Sequence, residues 1–163
     1  MHEFPARGCY NLTGFFMDLP IAPSALFQRI EASFLRQGLM RHLGARLVRV
    51  EPGLCEVALP YSQQVNQQQG GFHGGAIGAL ADIAGGYAAL TQLADDTEVT
   101  TVEYKINFLA AFQAGELRAV GRVARAGRRL IVTTADVTHL GADGRQSACA
   151  LMQQTLVPVP KTY

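Results

Sequence analysis

The sequence predicts an α+β domain in which an antiparallel sheet wraps around one buried helix. Three observations carry that reading. Residues 74–90, GGAIGALADIAGGYAAL, are apolar or small on every side and hold a single charge, Asp82, the pattern of a helix enclosed all round. Further on, Val102, Tyr104, Ile106 and Phe108 alternate with Thr101, Glu103, Lys105 and Asn107, a period of two that predicts a strand with one buried face. The strand-like runs after it are joined by Ala126-Gly127 and Asp143-Gly144, short turn signals that connect antiparallel neighbours.

The elements follow in order. Met1 to Pro20 mixes His, Glu, Arg and Asp with scattered apolar residues and does not read as a signal peptide, which points to the cytoplasm. Pro23-Ser24 opens a helix whose apolar stripe, Ala25, Leu26, Ile30, Phe34 and Leu35, ends near Gly38, so residues 1–40 form an N-terminal segment and helix. Two strands are expected around 42–50 and 54–60, split by the Glu51-Pro52-Gly53 turn. Residues 61–72, with five Gln and two Gly, read as a loop. The central helix spans 74–92. It is short for a membrane span, rich in glycine and charged in its middle, so a buried helix fits better than a bilayer one. Four strands follow, over 101–108, 116–125, 129–139 and 146–157. No repeat or linker interrupts the chain, and residues 1–163 read as one domain.

Bulk composition excludes several classes. With 48% apolar and 17% charged residues the chain is neither disordered nor tail-like, and a net charge of +1 advertises no nucleic-acid or membrane partner. The basic residues are unevenly spread, however. Arg118, Arg122, Arg125, Arg128 and Arg129 are five of the 14 Lys and Arg and no acid interrupts them, which allows a local anion site. Cys9, Cys55 and Cys149 are far apart and have no metal-ligand spacing, so free thiols are expected.

Asp82 is the strongest candidate for chemistry. An unpaired carboxylate on a buried helix costs several kcal/mol unless it is hydrogen-bonded or faces a wet pocket, and such groups gather at functional sites. The plainer alternative is a carboxylate that caps a neighbouring loop through backbone N–H groups. His73-Gly74-Gly75 is the second candidate, where the polar loop meets the helix. Free N–H groups of a first helical turn suit a developing oxyanion, and two glycines let a carbonyl approach the backbone; the plainer alternative is a capping His. His73 and Asp82 are nine residues apart, about 13 Å along a helix, so one helix cannot bring them to the same atom. If they share a site, a two-fold partner with an antiparallel helix must supply one of them. Arg128 and Arg129 would suit phosphate groups, against the plainer reading of a solvated strand edge. His2, His42 and His139 read as isolated, and no GxSxG elbow, HExxH pair or P-loop occurs.

The run QQQGGFHGGAIGALADIAGGYAAL, with TVEYKINFLA and GELRAVGRVARAGRRLIV after it, closely resembles the PaaI-type branch of the hotdog thioesterase superfamily, from about residue 40 onward. The resemblance implies a hotdog fold, dimers often paired into tetramers, and hydrolysis of acyl-CoA thioesters with no metal or cofactor. Asp82 matches the family's catalytic carboxylate, as nucleophile or as general base for water. The Gly74 N–H matches the oxyanion donor and His73 the residue that orients the turn, with Gly75 beside the substrate. Gln67 stands where family members often carry Asn, with Asn66 one place earlier, and a hydroxyl at the start of the next strand would be Thr101 or Thr100. The family's usual Pro after Asn-Phe-Leu is replaced here by Ala110-Ala111. Two other functions compete: a dehydratase or hydratase, for which the HxxG-type loop is missing, and a non-catalytic acyl-CoA binder, which would not need a buried charge. Phe72, Tyr87 and Phe112 are candidates to line the acyl pocket.

Overall fold

The computed structural model describes residues 24–163; the expectations for Cys9, His2 and the rest of the N-terminal segment lie outside the described residues. Helix α1, Ala25–Phe34, starts at Ser24, whose side chain accepts from the Phe27 N–H at 3.1 Å, and buries Ile30 and Phe34. The expected strand at 42–50 begins later. A short helix α2, Gly38–Leu43, comes first and buries Met40 and Leu43. Leu39, Met40 and Leu43 fall at helical spacing, and Gly44 closes the helix at φ +75°, a left-handed stop that glycine adopts without strain.

The strands are β1, Arg46–Glu51, and β2, Leu54–Pro60, then β3, Thr97–Phe108, β4, Glu116–Ala126, β5, Ile131–Leu140, and β6, Gln146–Pro160. They form one six-stranded antiparallel sheet in the order β1-β2-β4-β5-β6-β3. The central helix α3, Gly74–Leu90, lies in its curve and touches β2, β3, β4, β5 and β6. Leu80, Ala81, Ala84, Ala88 and Ala89 are fully buried, which explains why this helix needs no polar face.

Small residues let the helix sit against the sheet. A Cβ built on Gly121 of β4 would fall 2.1 Å from the Ala84 carbonyl oxygen, far inside contact distance. At the far end Arg29 of α1 reaches over to the C-terminus of α3 and donates to the carbonyls of Leu90 and Leu93. A cation there satisfies otherwise unpaired carbonyls and complements the helix dipole.

The expected buried face of β3 is only partly present. Val102, Tyr104 and Phe108 are 60%, 46% and 54% exposed. Two features explain it. β3 is an edge strand, with no neighbour beyond it. In addition, the register slips between Thr101 and Glu103, so Val102 is an unpaired bulge and the alternation changes phase there. Before the bulge Val99 and Thr101 face α3; after it Tyr104 and Phe108 do, lying beside Gly78 and Gly74.

Candidate active site

Asp82 sits half-buried on α3, and its donors are side chains, not the loop N–H groups of the plainer reading. Thr101 on β3 donates its hydroxyl to Asp82 Oδ1 at 2.8 Å. Gln154 on β6 donates Nε2 to the same oxygen, and contacts Thr101 Oγ1 at 3.0 Å and the Asp82 carbonyl at 3.2 Å. The Val102 bulge is what turns Thr101 inward at this level, so the hydroxyl left open between Thr100 and Thr101 falls to Thr101; Thr100 is exposed. Both donors converge on Oδ1. Among the described residues no buried side-chain polar atom lacks a partner, so Oδ2, which has no such partner, is open to the cleft.

That cleft has a volume of about 540 Å³, within the range of small-ligand sites. It runs from Asp82 and Thr101 along the C-terminal half of α3, with Ile83, Tyr87, Leu90 and Val99 on its walls and Arg36 and Tyr163 at its far end. Of the three aromatic candidates only Tyr87 lines it. Its hydroxyl accepts from Gln37 Nε2 at 2.9 Å and lies 3.2 Å from Ser33 Oγ, and burial pushes its pKa up, so it stands there as neutral phenol. Phe72 is instead in the core, edge-on to Tyr61. Phe112 stacks on His139 at 3.9 Å, which also removes His139 from the isolated residues.

The other candidates gather at the N-terminus of α3. His73 is the N-cap in extended conformation, φ −69° and ψ 134°, and its Nδ1 accepts from the Gly75 N–H at 2.8 Å. This is the capping role of the plainer reading, and it leaves the neutral ring protonated at Nε2. The Ala76 and Ile77 N–H groups are taken by the His73 carbonyl. Gly74 keeps its N–H without a partner among the described residues, on the exposed rim beside the Phe108 ring. Gln67 and Asn66 bond within their own loop: Gln67 Oε1 accepts from the Gln69 N–H at 3.1 Å, and Asn66 donates to Gln63.

The basic run divides in two. Arg118 is bound to Glu116 and Glu56 at 2.6 and 2.9 Å, so it is not free for an anion. Burial raises the Glu116 pKa, but hydrogen bonds from Arg118 and Arg46 outweigh it and hold the group below its ordinary value. Arg128 and Arg129 are exposed at the β4–β5 turn. Cys55 and Cys149 are free thiols in the core, which burial pushes up to about 12 and about 11; neither is a nucleophile at neutral pH.

Known proteins resemble this chain in sequence and fold. The family model of the thioesterase superfamily matches residues 69–143, the span from the loop before His73 to the β5–β6 turn. A thioesterase family protein from Silicibacter pomeroyi has the same structure with a TM-score of 0.78 and 36% identity, over 83% of this chain and 98% of that one. The chain belongs to the thioesterase superfamily. A Saccharolobus solfataricus protein with only a provisional esterase name is 34% identical over 113 residues, 69% of this chain and 79% of its own. The 1,4-dihydroxy-2-naphthoyl-CoA hydrolase of Listeria monocytogenes is 32% identical over 104 residues, 64% of this chain and 73% of its own. The E. coli PaaI protein, at 21% identity and a TM-score of 0.74 over 84% of this chain and 95% of that one, shares the fold, so the hotdog architecture holds.

Within this thioesterase fold the structure brings Asp82 and Thr101 together. It leaves His73, Gly74 and Gly75 at the N-terminus of α3, about two turns from Asp82, Gln67 and Asn66 in the loop before it, and Arg128 and Arg129 at a separate turn. Sequence reasoning missed Gln154 and Thr133, which are 1% and 0% exposed. A signal existed. Ala150, Met152, Gln154 and Leu156 form the inward row of β6, and Ile131, Thr133, Ala135 and Val137 that of β5, so each polar side chain interrupts an otherwise apolar row.

Proposed function

We propose that the protein, as a single domain, hydrolyses acyl-CoA thioesters to free acid and CoA without metal or cofactor, in a homodimer with two composite sites. The observation that supports this best is Asp82 itself, with one oxygen anchored by Thr101 and Gln154 and the other open to the 540 Å³ cleft. Each site would combine Asp82 of one subunit with the partner's His73, Gly74 and Gly75, since 13 Å of helix separates them within a chain. The exposed Val102, Tyr104 and Phe108 on edge strand β3 support a second copy pairing there, which would also cover the edge.

In the general-base route Asp82 Oδ2 takes a proton from water as the water oxygen attacks the thioester carbonyl carbon. In the nucleophilic route Oδ2 attacks the carbon itself and water then hydrolyses the mixed anhydride. In both, the partner's Gly74 N–H meets the carbonyl oxygen as it becomes an oxyanion, the C–S bond breaks, and CoA thiolate leaves and picks up a proton. Thr101 holds Asp82 and the water in line. The partner's Gln67, with Asn66 beside it, would turn from its loop to the thioester carbonyl, and Arg128 with Arg129 would meet the CoA phosphates. The free thiols of Cys55 and Cys149 agree with a reducing compartment, the cytoplasm. Among the described residues no helix is long and apolar enough to cross a membrane.

Release of free thiol from aryl-, short- and medium-chain acyl-CoAs, wild type beside Asp82→Ala, tests the reading. The expected loss in the folded variant is about 10²–10⁴-fold in kcat. Acyl-CoA binding with no thiol release by the wild type would replace the enzyme with a binder.

A further inference from the structure

Gln154 does more than fill the core. Thr133 and Gln154 face each other as a cross-strand pair of β5 and β6, and both are buried. The Thr133 hydroxyl donates to Gln154 Oε1 at 2.8 Å. A side-chain amide is nearly symmetric in shape and can present either end; the Asp82 carbonyl and carboxylate oxygens, both acceptors, select the Nε2 end. The Thr133 hydroxyl, able to donate or accept, then donates to Oε1 and holds the amide in place, while Nε2 serves Asp82 Oδ1, the Asp82 carbonyl and Thr101 Oγ1. The reversed amide would set a carbonyl oxygen against a carboxylate. The helix is shaped for the pair: a Cβ on Gly85 would lie 2.1 Å from Gln154 Oε1 and 2.7 Å from Thr133 Oγ1, so only glycine leaves room for it one turn after Asp82.

We infer that Gln154, its amide oxygen held by Thr133, is a positioning residue that holds Asp82 Oδ1 and thereby aims Oδ2 at the substrate. Because Nε2 and the Thr101 hydroxyl share that oxygen, Oδ2 is left as the reactive atom. Thr133 touches neither Asp82 nor the cleft and acts only through Gln154. This rests on the thioesterase reading of the site.

The test uses the full-length protein with the best acyl-CoA of the panel. Gln154→Leu is expected to lower kcat about 30-fold with KM changed less than about threefold, because substrate contacts remain and only the attacking oxygen is misaimed. Thr133→Val, which keeps shape and removes the hydroxyl, should lower kcat about fivefold. The double variant should match Gln154→Leu alone, since a residue acting through another adds nothing once that other is gone. Gln154→Glu, a similar shape without the donor, should not rescue. A Gln154→Leu enzyme that melts within a few degrees of wild type and keeps kcat within twofold would overturn the assignment, as would a Thr133→Val loss that multiplies fully with that of Gln154→Leu. A second readout is independent of turnover. In ¹⁵N-labelled protein the Gln154 side-chain NH₂ signals should shift in Asp82→Ala and exchange with solvent about tenfold faster in Thr133→Val; signals unmoved by both variants would show that no such hold exists. A wild type with shifted and protected NH₂ signals but no thioester hydrolysis would instead overturn the enzyme reading, and with it any catalytic purpose for the hold.

Discussion

The middle and the N-terminus of the central helix are built in opposite ways. Around Asp82 the polar groups that fix the carboxylate come from the same chain, from β3, β5 and β6, with Thr133 and Gln154 buried and Asp82 and Thr101 half-buried. Around Gly74 the first turn is open, with His73 and Gly75 exposed, its N–H has no partner among the described residues, and the neighbouring Phe108 ring is itself half exposed. A carboxylate must be held rigidly to be useful and harmless, whereas an N–H of a first helical turn is pre-aimed by the helix and needs only a substrate to arrive. On the proposed function, a single chain completes the carboxylate half of the site.

The sharpest break of this comparison removes the open end alone. Proline is tolerated at the first position of a helix, where the N–H has no intrahelical partner, and the extended His73 already has the backbone that a following proline requires. Gly74→Pro should therefore leave the fold intact and lower kcat about 10²–10³-fold. Mixing Gly74→Pro with Asp82→Ala after subunit exchange sharpens it further. If each site takes Asp82 from one subunit and the N–H from the other, half the dimers are mixed and one of their two sites is whole, so about a quarter of wild-type activity returns. No recovery would place both groups in one subunit.

Smaller effects probe the scaffold. Gly121→Ala should destabilise by about 3 kcal/mol, since its Cβ meets the backbone carbonyl of Ala84; chemical denaturation measures this, and a near-normal midpoint would mean that α3 can lift off the sheet. Val102→Lys sits on the exposed bulge, so its cost to the fold should stay below about 0.5 kcal/mol. It should nonetheless shift the protein from dimer to monomer in sedimentation and abolish turnover with it. The smallest effect is expected from Arg128→Ala with Arg129→Ala: KM for acyl-CoA up about fivefold, less so at high salt, and kcat unchanged.

Much of this was legible because burial leaves its mark on residue choice. The run around Asp82 fits an enclosed helix better than a membrane span, and the alternation of β3 and the turn signals point to an antiparallel sheet. Short-range exceptions were harder. The α2 helix is not separable in the sequence, which assigns only its last two residues, to the strand at 42–50, because six residues carry too little periodicity to distinguish them. Arg118 looked free until the register of β4 with β2 set it beside Glu56, a neighbour 62 residues away in the chain. The phase change at Val102 was invisible for a similar reason, since a bulge is defined by the partner strand.

Sequence alone determined the buried helix with its single carboxylate, the sheet that wraps it, and the glycine turn that opens it, because each is written in a local pattern of polarity and size. Only the tertiary structure decided which side chains hold that carboxylate. Thr101, Thr133 and Gln154 lie on three strands that meet only when the sheet forms, and a hydrogen bond between residues 72 apart depends on register, which no local pattern carries.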